Sequence, residues 1–342
     1  DIMSVKVAIN GFGRIGRLVV RAAIQQNMDV EFVAINDKNP EVLAHLFKYD
    51  SVHGVFPGEV TASENAIVID GKTIPFYTHF NLDELIGAWK DLDIDVLVES
   101  TGVYTKRAQL ERLHNETKAN YVLLSRPMGD ADITMVYGVN HENFDPENHK
   151  IVSNASCTTN CLAPPVHVLH KEWGIKRGMM TTVHAFTNDQ RILDAPHSDL
   201  RRARTASMSM IPTTTGAAKA IGLVIPELKG KFDGGAVRVP TPDVSLVDAV
   251  IELNEEVTTE QVNAAMQKYA EGPLKGVLRY MPEPLVSIDL TGSYHSSVYD
   301  VAASLVLGGK GNMVKVMSWY DNEMGYSARM VDVIMYMMSK TN

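Results

Sequence analysis

Apolar positions open the chain as a near-continuous run, Val5 to Asn10 (VKVAIN), the pattern of a strand buried on both faces of a parallel sheet. From Arg14 to about Gln26 the apolar residues Ile15, Leu18, Val19, Ala22 and Ala23 recur at helical spacing, and a second apolar run, Glu31 to Asn36, follows. Further strands are predicted at Asp95 to Glu99, Tyr121 to Ser125, Ile133 to Tyr137 and Lys150 to Ser153, with helical stretches between several of them. That alternation predicts a helix-covered, mostly parallel sheet. After about residue 155 longer, partly alternating strands follow, at Met179 to Phe186, Val244 to Leu253, Leu285 to Leu290, Ser297 to Leu307 and Met313 to Tyr320. Consecutive strands with few helices between them predict an α+β domain with a mostly antiparallel sheet. Within it, Thr258-Thr259-Glu260-Gln261 is a capping box for a helix that runs to about Glu271, where Gly272-Pro273 stops it. Near the C-terminus Met330, Val331, Ile334, Met335, Met337 and Met338 fall on one helical face, a stripe that reads as core packing.

The first strand leads straight into Gly11-Phe12-Gly13-Arg14-Ile15-Gly16. Alone, a GxGxxG string is a weak signal; its setting between a strand and a helix strengthens it, as does Asp37, 21 residues after Gly16 at the end of the second strand. Gly11 allows the tight turn, Gly13 lets backbone approach a pyrophosphate and Gly16 lets helix and strand pack closely. The helix N-terminus offers unpaired N–H groups to the anion, and Asp37 can accept from the ribose hydroxyls. These features read as a Rossmann-type NAD-binding domain. A carboxylate at Asp37 repels a 2′-phosphate, while Lys38 beside it partly offsets that repulsion, which leaves NADP use open. Ser100-Thr101-Gly102 follows a strand at its carboxyl end, where open α/β sheets bind ligands, and fits a plain strand-to-helix turn equally well.

Composition narrows the class. The 342 residues carry 32 Lys+Arg against 41 Asp+Glu, a formal net charge of −9, which argues against a broad nucleic-acid surface. At 45% hydrophobic and 21% charged the chain reads as globular, and its length suggests two domains. With no apolar run near the roughly 18 residues of a membrane span and no signal-type segment, a cytoplasmic location is expected. Asp1 and Ile2, ahead of the first methionine, Met3, read as an added remnant. Two cysteines cannot build a disulfide framework or a four-thiolate zinc site, and His141-Glu142 lacks a second histidine because position 145 is Asp; no metal is expected. Asn115-Glu-Thr and Asn154-Ala-Ser match glycosylation acceptors but carry no weight in a cytoplasmic chain.

The candidate chemistry lies at Ser153-Asn154-Ala155-Ser156-Cys157-Thr158-Thr159-Asn160-Cys161. Ser, Asn and Thr cap helices, so Cys157 is expected at or near a helix N-terminus, where the backbone N–H groups and the dipole favour thiolate and lower the thiol pKa. On its own the segment also fits an inert, half-buried thiol. Cys161, one turn on, reads as a small buried hydrophobe, and Pro164 and Pro165 predict that the helix begins or kinks there. His184 ends the Met179–Val183 run and is the candidate base, although spacing alone does not bring it to Cys157.

At SNASCTTNCLAP (153 to 164), INGFGRIGR (9 to 17) and WYDNEMGYS (319 to 327) the chain resembles the phosphorylating glyceraldehyde-3-phosphate dehydrogenases over nearly its whole length. HAFTNDQ (184 to 190), DLRRAR (199 to 204), PTTTGAAKA (212 to 220) and GGAVRVPTPDVS (234 to 245) extend the likeness. The resemblance implies that Cys157 attacks the aldehyde, that His184 handles the proton, and that inorganic phosphate releases a thioester as 1,3-bisphosphoglycerate. It places Thr187 and Arg238 in the pocket for the substrate's phosphate and Ser156, Thr158, Thr215 and Gly216 in that for inorganic phosphate, with Arg202 nearby. For NAD it assigns Arg14 and Ile15 to the pyrophosphate, Asp37 to the ribose, and Ser125 and Asn322 to the nicotinamide end. It also implies a homotetramer with the 186 to 210 loop at subunit contacts, and domains at 1–155 (dinucleotide-binding) and 156–321 (catalytic), with a C-terminal helix, 322–342, packing back on the first. Arg126, Met128, Ala195, Met324 and Ala328 depart from the family's usual pattern. The nearest rival is an erythrose-4-phosphate dehydrogenase, which the intact second phosphate pocket disfavours; a binding protein borrowing the fold is the rival from another class.

Overall fold

The computed structural model describes residues 4–341, so Asp1 to Met3 and Asn342 lie outside the described residues. The chain forms two compact units. One comprises the residues up to Met135, Asn143–Ala155 and the chain from Ser327; the other comprises Val136–Glu142 and Ser156–Tyr326.

In the first unit Val5–Asn10 pairs in parallel with Val30–Asn36 on one side and Val96–Glu99 on the other. Tyr121–Leu124, Ile151–Ser153 and Ile133–Thr134 extend the sheet beyond Val96–Glu99, all parallel. Strands run outward in both directions from the junction of Val5–Asn10 and Val96–Glu99, so the chain reverses its winding there and leaves a crevice at their carboxyl ends. The helix Arg14–Gln25 buries Leu18, Val19, Val20, Ala22 and Ala23, the face its spacing predicts. A β-meander at the other edge, Val60–Ser63, Ala66–Ile69 and Lys72–Tyr77, was not predicted. Its strands are short and carry polar residues on an exposed side, so they give no sustained apolar run. The strand expected to reach Tyr137 ends at Thr134; Val136 N–H turns instead to Asn140 Oδ1, 2.8 Å away. Met330, Val331, Ile334, Met337 and Met338 on the helix Met324–Thr341 are buried, and Tyr121 OH meets Thr341 Oγ1 at 2.7 Å. Met128 is core as well, packed in the cluster that includes Leu124 and Ile151.

The second unit is built on an eight-stranded sheet. Its path runs Ile211–Thr214, Phe232–Val239, Ile175–Ala185, Ser245–Thr258, Lys310–Tyr320, Ser297–Asp300 and Leu278–Met281, with Leu305–Val306 also paired to Lys310–Tyr320. Most pairings are antiparallel, as expected, but Ile175–Ala185 with Phe232–Val239 and Leu278–Met281 with Ser297–Asp300 are parallel. The helix Thr259–Glu271 begins at the predicted capping box: Gln261 N–H donates to Thr258 Oγ1 and Thr258 N–H to Gln261 Oε1.

Two predicted strands fail here, and so does the predicted helix start at Pro164 and Pro165. Leu285 to Leu290 is no strand; Ser287–Leu290 is a 3₁₀ turn held by Val286 N–H donating to Asp289 Oδ2. Ser297 to Leu307 breaks after Asp300, whose Oδ1 accepts from Ala303 N–H and turns the chain. The helix Cys157–Trp173 does not begin at Pro164 and Pro165 but runs through both, and the two rings are buried. No helix among the described residues is long and apolar enough to cross a membrane.

Candidate active site

Ser156 caps the helix Cys157–Trp173: its Oγ accepts from Thr159 N–H at 3.0 Å, so Cys157 is the first helical residue. The placement agrees with the capping pattern in the sequence. His184 lies near the end of Ile175–Ala185, and its Nε2 is 3.5 Å from Cys157 Sγ. His184 Nδ1 lies 2.7 Å from Ala185 carbonyl oxygen, so Nδ1–H donates there and Nε2 keeps its lone pair toward the sulfur. The pair therefore has the tautomer a general base needs.

Strand register supplies the next group. Ile175–Ala185 and Phe232–Val239 pair in parallel with His184 directly opposite Arg238, which puts both side chains on one face. Arg238 Nη1 donates to Ala185 carbonyl oxygen at 3.2 Å and to Thr187 Oγ1 at 3.3 Å, so Arg238 and Thr187 converge beside the imidazole. A guanidinium and a hydroxyl side by side are donor types that suit a phosphate.

The electrostatics correct one expectation. Burial pushes the Cys157 thiol above its ordinary range; Arg238, Thr158 and the backbone N–H groups oppose this but do not reverse it. Burial first, and Arg238 second, hold the His184 imidazole down to about 4, against the opposing pull of Ala185 carbonyl oxygen. The helix terminus is where the sequence puts it, and desolvation of the sulfur opposes the thiolate there. Cys161 is fully buried, contacts Ser297 and Ser318, and is pushed up to about 12, as an inert thiol should be. Neither cysteine is in a disulfide.

The residues implied for inorganic phosphate are only partly gathered. Thr159 Oγ1 donates to Ala217 carbonyl oxygen at 3.2 Å and so ties the start of the cysteine helix to the Thr215–Gly216 turn. Within that turn Ala217 N–H donates to Thr215 Oγ1. Thr158 Oγ1, however, is buried against Tyr320 OH at 2.8 Å. Tyr320 OH also meets Thr182 Oγ1 at 2.8 Å, and its ring stands edge-on to His184, so it braces both the Cys157 helix and the His184 strand. The sequence carries Tyr320 within WYDNEMGYS but gives its hydroxyl no role. Arg202 is held by Asp189 at 2.6 Å and by Thr213 Oγ1 at 3.0 Å, beside the strand that leads to Thr215.

In the first unit Gly11, Gly13 and Asp37 line a cavity of about 280 Å³ at the crevice, together with Asn10, Asn36, Lys38, His79, Phe80, Ser100, Thr101, Val103 and Tyr104. A Cβ on Gly16 would run into Gly11 carbonyl oxygen, so only glycine lets helix and strand approach this closely. A Cβ on Gly13 would point into open space, the room a dinucleotide backbone needs. Asp37 Oδ2 accepts from Phe12 N–H at 2.6 Å and Oδ1 from Lys38 N–H at 2.7 Å, which aims the carboxylate into the crevice. Arg14 and Ile15 open the helix, and Arg14 is paired with Asp50 at 3.2 Å. Ser125 follows the strand Tyr121–Leu124 and bonds Glu99 carbonyl oxygen through its own N–H.

Beneath the cavity is a network the sequence did not reveal. Asn10 Nδ2 donates to Glu99 Oε2, Asn36 Nδ2 to Asn10 Oδ1, and Thr101 N–H to Glu99 Oε1. Burial pushes the Glu99 carboxyl up, while Thr101 and Asn10 pull it down. The donor set, the glycine cradle and the Asp37 carboxylate fit NAD, and Ser100 and Thr101 line the same cavity.

Comparison with known proteins agrees. Residues 5–107 match the family model for the glyceraldehyde 3-phosphate dehydrogenase NAD binding domain, and residues 156–322 match that for the C-terminal domain. The chain is 58% identical over 336 residues to glyceraldehyde-3-phosphate dehydrogenase 1 of Bacillus cereus, covering 98% of this chain and 99% of the relative. It is 57% identical over 339 residues to the Geobacillus stearothermophilus enzyme (99% of each chain) and 51% identical over 336 residues to that of Streptomyces coelicolor (98% of each). With two family models spanning most of its length and a cysteine–histidine pair in bonding reach, the chain belongs to the glyceraldehyde 3-phosphate dehydrogenase family.

Proposed function

We infer that the chain is an NAD-dependent dehydrogenase that converts glyceraldehyde 3-phosphate and inorganic phosphate to 1,3-bisphosphoglycerate through a thioester on Cys157. The observation that carries this is the 3.5 Å approach of Cys157 Sγ to His184 Nε2, with Arg238 and Thr187 beside them. Thr187 and Arg238 hold the substrate's phosphate. Cys157 sulfur attacks the aldehyde carbon, its proton passes to His184 Nε2, and His184 returns a proton to the carbonyl oxygen, which leaves a thiohemiacetal. When bound, NAD supplies the hydride acceptor that turns this adduct into a thioester, and His184 takes up the hydroxyl proton released. An oxygen of inorganic phosphate then attacks the thioester carbon, the acyl phosphate departs, and the sulfur recovers its proton. Ser156, the Thr158 backbone N–H, Thr215 and Gly216 bind the attacking phosphate, and Arg202 adds positive charge nearby. Gly11, Gly13, Arg14, Ile15, Gly16 and Asp37 hold the adenosine and pyrophosphate part of NAD, and Ser125 and Asn322 the nicotinamide end. Residues 1–155 and 156–321 act as the cofactor and catalytic domains, with 322–342 returning to the first. No observation favours erythrose 4-phosphate as substrate.

NADH formation from glyceraldehyde 3-phosphate, NAD and phosphate tests this reading directly. With NADP in place of NAD the same assay reads Lys38, whose Nζ stands 6.0 Å from the centre of the Phe80 ring on the cavity wall. NAD should be preferred, and Lys38→Leu should widen that preference by about tenfold through loss of one charge-assisted contact to a 2′-phosphate. An unchanged ratio would show that Lys38 does not reach it.

The active form is a homotetramer working in the cytoplasm on small-molecule substrates, with nucleic acid and membrane playing no part in its main role. What supports the assembly is apolar surface on the 186 to 210 segment and the neighbouring sheet face: Ile192, Leu193, Leu200, Met208, Met210 and Met179 are all at least 70% exposed. So much exposed apolar area is what a subunit interface covers. Light scattering should give four times the 37.7 kDa chain mass, and a monomer at micromolar concentration would contradict the assembly.

A further inference from the structure

We propose that Ser245 is a positioning residue for hydride transfer: its buried hydroxyl, bonded to the His184 strand on one side and to Asn322 on the other, fixes which way the Asn322 amide faces. The inference rests on the reading of Asn322 as a nicotinamide contact. Ser245 opens the strand Ser245–Thr258, which lies between Ile175–Ala185 and Lys310–Tyr320, with Ser245 itself opposite Tyr320. The three adjacent strands thus bring Ala185, Ser245 and the turn after Tyr320 together at one end of the sheet.

Ala185 N–H donates to Ser245 Oγ at 3.0 Å, and Ser245 Oγ donates to Asn322 Oδ1 at 2.8 Å. Ser245 is 1% exposed and Asn322 7%, so water does not compete for these bonds. The directions follow from the inventory of the groups. An amide N–H can only donate, so Ser245 Oγ is already an acceptor, and its single hydrogen needs an acceptor of its own. Asn322 Oδ1 supplies it. With the amide reversed, Ser245 would accept twice and its hydrogen would be buried without a partner. Asn322 is therefore set with Nδ2 as the outward donor, and among the described residues that nitrogen has no hydrogen-bond partner. A nicotinamide carboxamide oxygen is the acceptor it suits, and orientation of that group decides which ring face receives the hydride.

A strained backbone precedes the serine. Val244 has φ +65° and is buried, an outlier for a β-branched residue that persists only where its surroundings enforce it. On its C-terminal side Ser245 joins the strand ending at Ala185 to Asn322, so the same hydroxyl links the imidazole's strand to the carboxamide donor.

The test uses NAD and thionicotinamide adenine dinucleotide, in which sulfur replaces the carboxamide oxygen and accepts hydrogen bonds poorly. Intrinsic differences between the two cofactors cancel when the ratio of their kcat values is compared across variants. Ser245→Ala should narrow the wild-type preference for NAD by about tenfold, toward the ratio of Asn322→Ala, and Ser245→Thr, which keeps the hydroxyl, should restore it. A role in stability alone would not move that ratio. Should Ser245→Ala fail to fold, Ser245→Cys, similar in size and a weak donor, is expected to narrow the ratio in the same direction. A Ser245→Ala or Ser245→Cys enzyme with the wild-type ratio would overturn the proposal. An Asn322→Ala enzyme with the wild-type ratio is a distinct failure: it would remove Asn322 from the nicotinamide and the basis for Ser245 with it.

Discussion

Cys157→Ser should lower NADH formation from glyceraldehyde 3-phosphate by about 10⁴-fold or more while leaving NAD binding intact. The hydroxyl is nearly isosteric, so the helix that starts at residue 157 and its Ser156 cap should survive. What is lost is the nucleophile. A serine hydroxyl ionises several pKa units above a thiol and makes a poor leaving group when phosphate attacks the acyl enzyme. Cys161 cannot substitute, because its sulfur is fully buried against Ser297 and Ser318 with its pKa pushed up to about 12. The checks are steady-state turnover and NAD titration of the variant; activity within tenfold of wild type would remove Cys157 from the chemistry.

His184→Asn should lower kcat by about 10²- to 10⁴-fold, and it should also move the alkylation of Cys157 by iodoacetamide to higher pH. The sign follows from the site. Burial disfavours each charge taken singly, raising the thiol and holding the imidazole down to about 4. A proton moved across the 3.5 Å gap from Sγ to Nε2 makes two opposite charges that stabilise each other, so the wild-type thiolate is reached through the pair. Without an acceptor at residue 184 the sulfur must lose its proton to solvent against desolvation, which Arg238 only partly offsets. An unshifted alkylation profile in His184→Asn would show that the imidazole does not assist the thiol.

Much of the site was legible because local chemistry repeats local rules. The glycines, the helix behind them and Asp37 are spaced by the geometry of one strand–helix–strand unit, and the Ser156 cap announces the helix start. The long strands of the second unit showed in their alternation. What stayed hidden depends on register between distant segments. His184 and Arg238 are neighbours because two parallel strands align them, 54 positions apart, and no periodicity in either strand states that alignment. Phe232–Val239 itself went unseen because Gly234-Gly235 reads as a turn. Tyr320 and Ser245 were missed for a similar reason: their hydroxyls act on partners brought in by other strands. The direction of the Cys157 shift was also beyond local reading, since the helix terminus is visible in sequence and the depth of the sulfur is not.

The most direct measurement is a rapid-mixing trace of NADH from enzyme, NAD and glyceraldehyde 3-phosphate without phosphate, followed by addition of phosphate. A thioester on Cys157 that awaits phosphate predicts a burst of about one NADH per chain, then near arrest, then sustained turnover once phosphate is added. Sustained turnover before phosphate, or the same trace from Cys157→Ser, would contradict the covalent route.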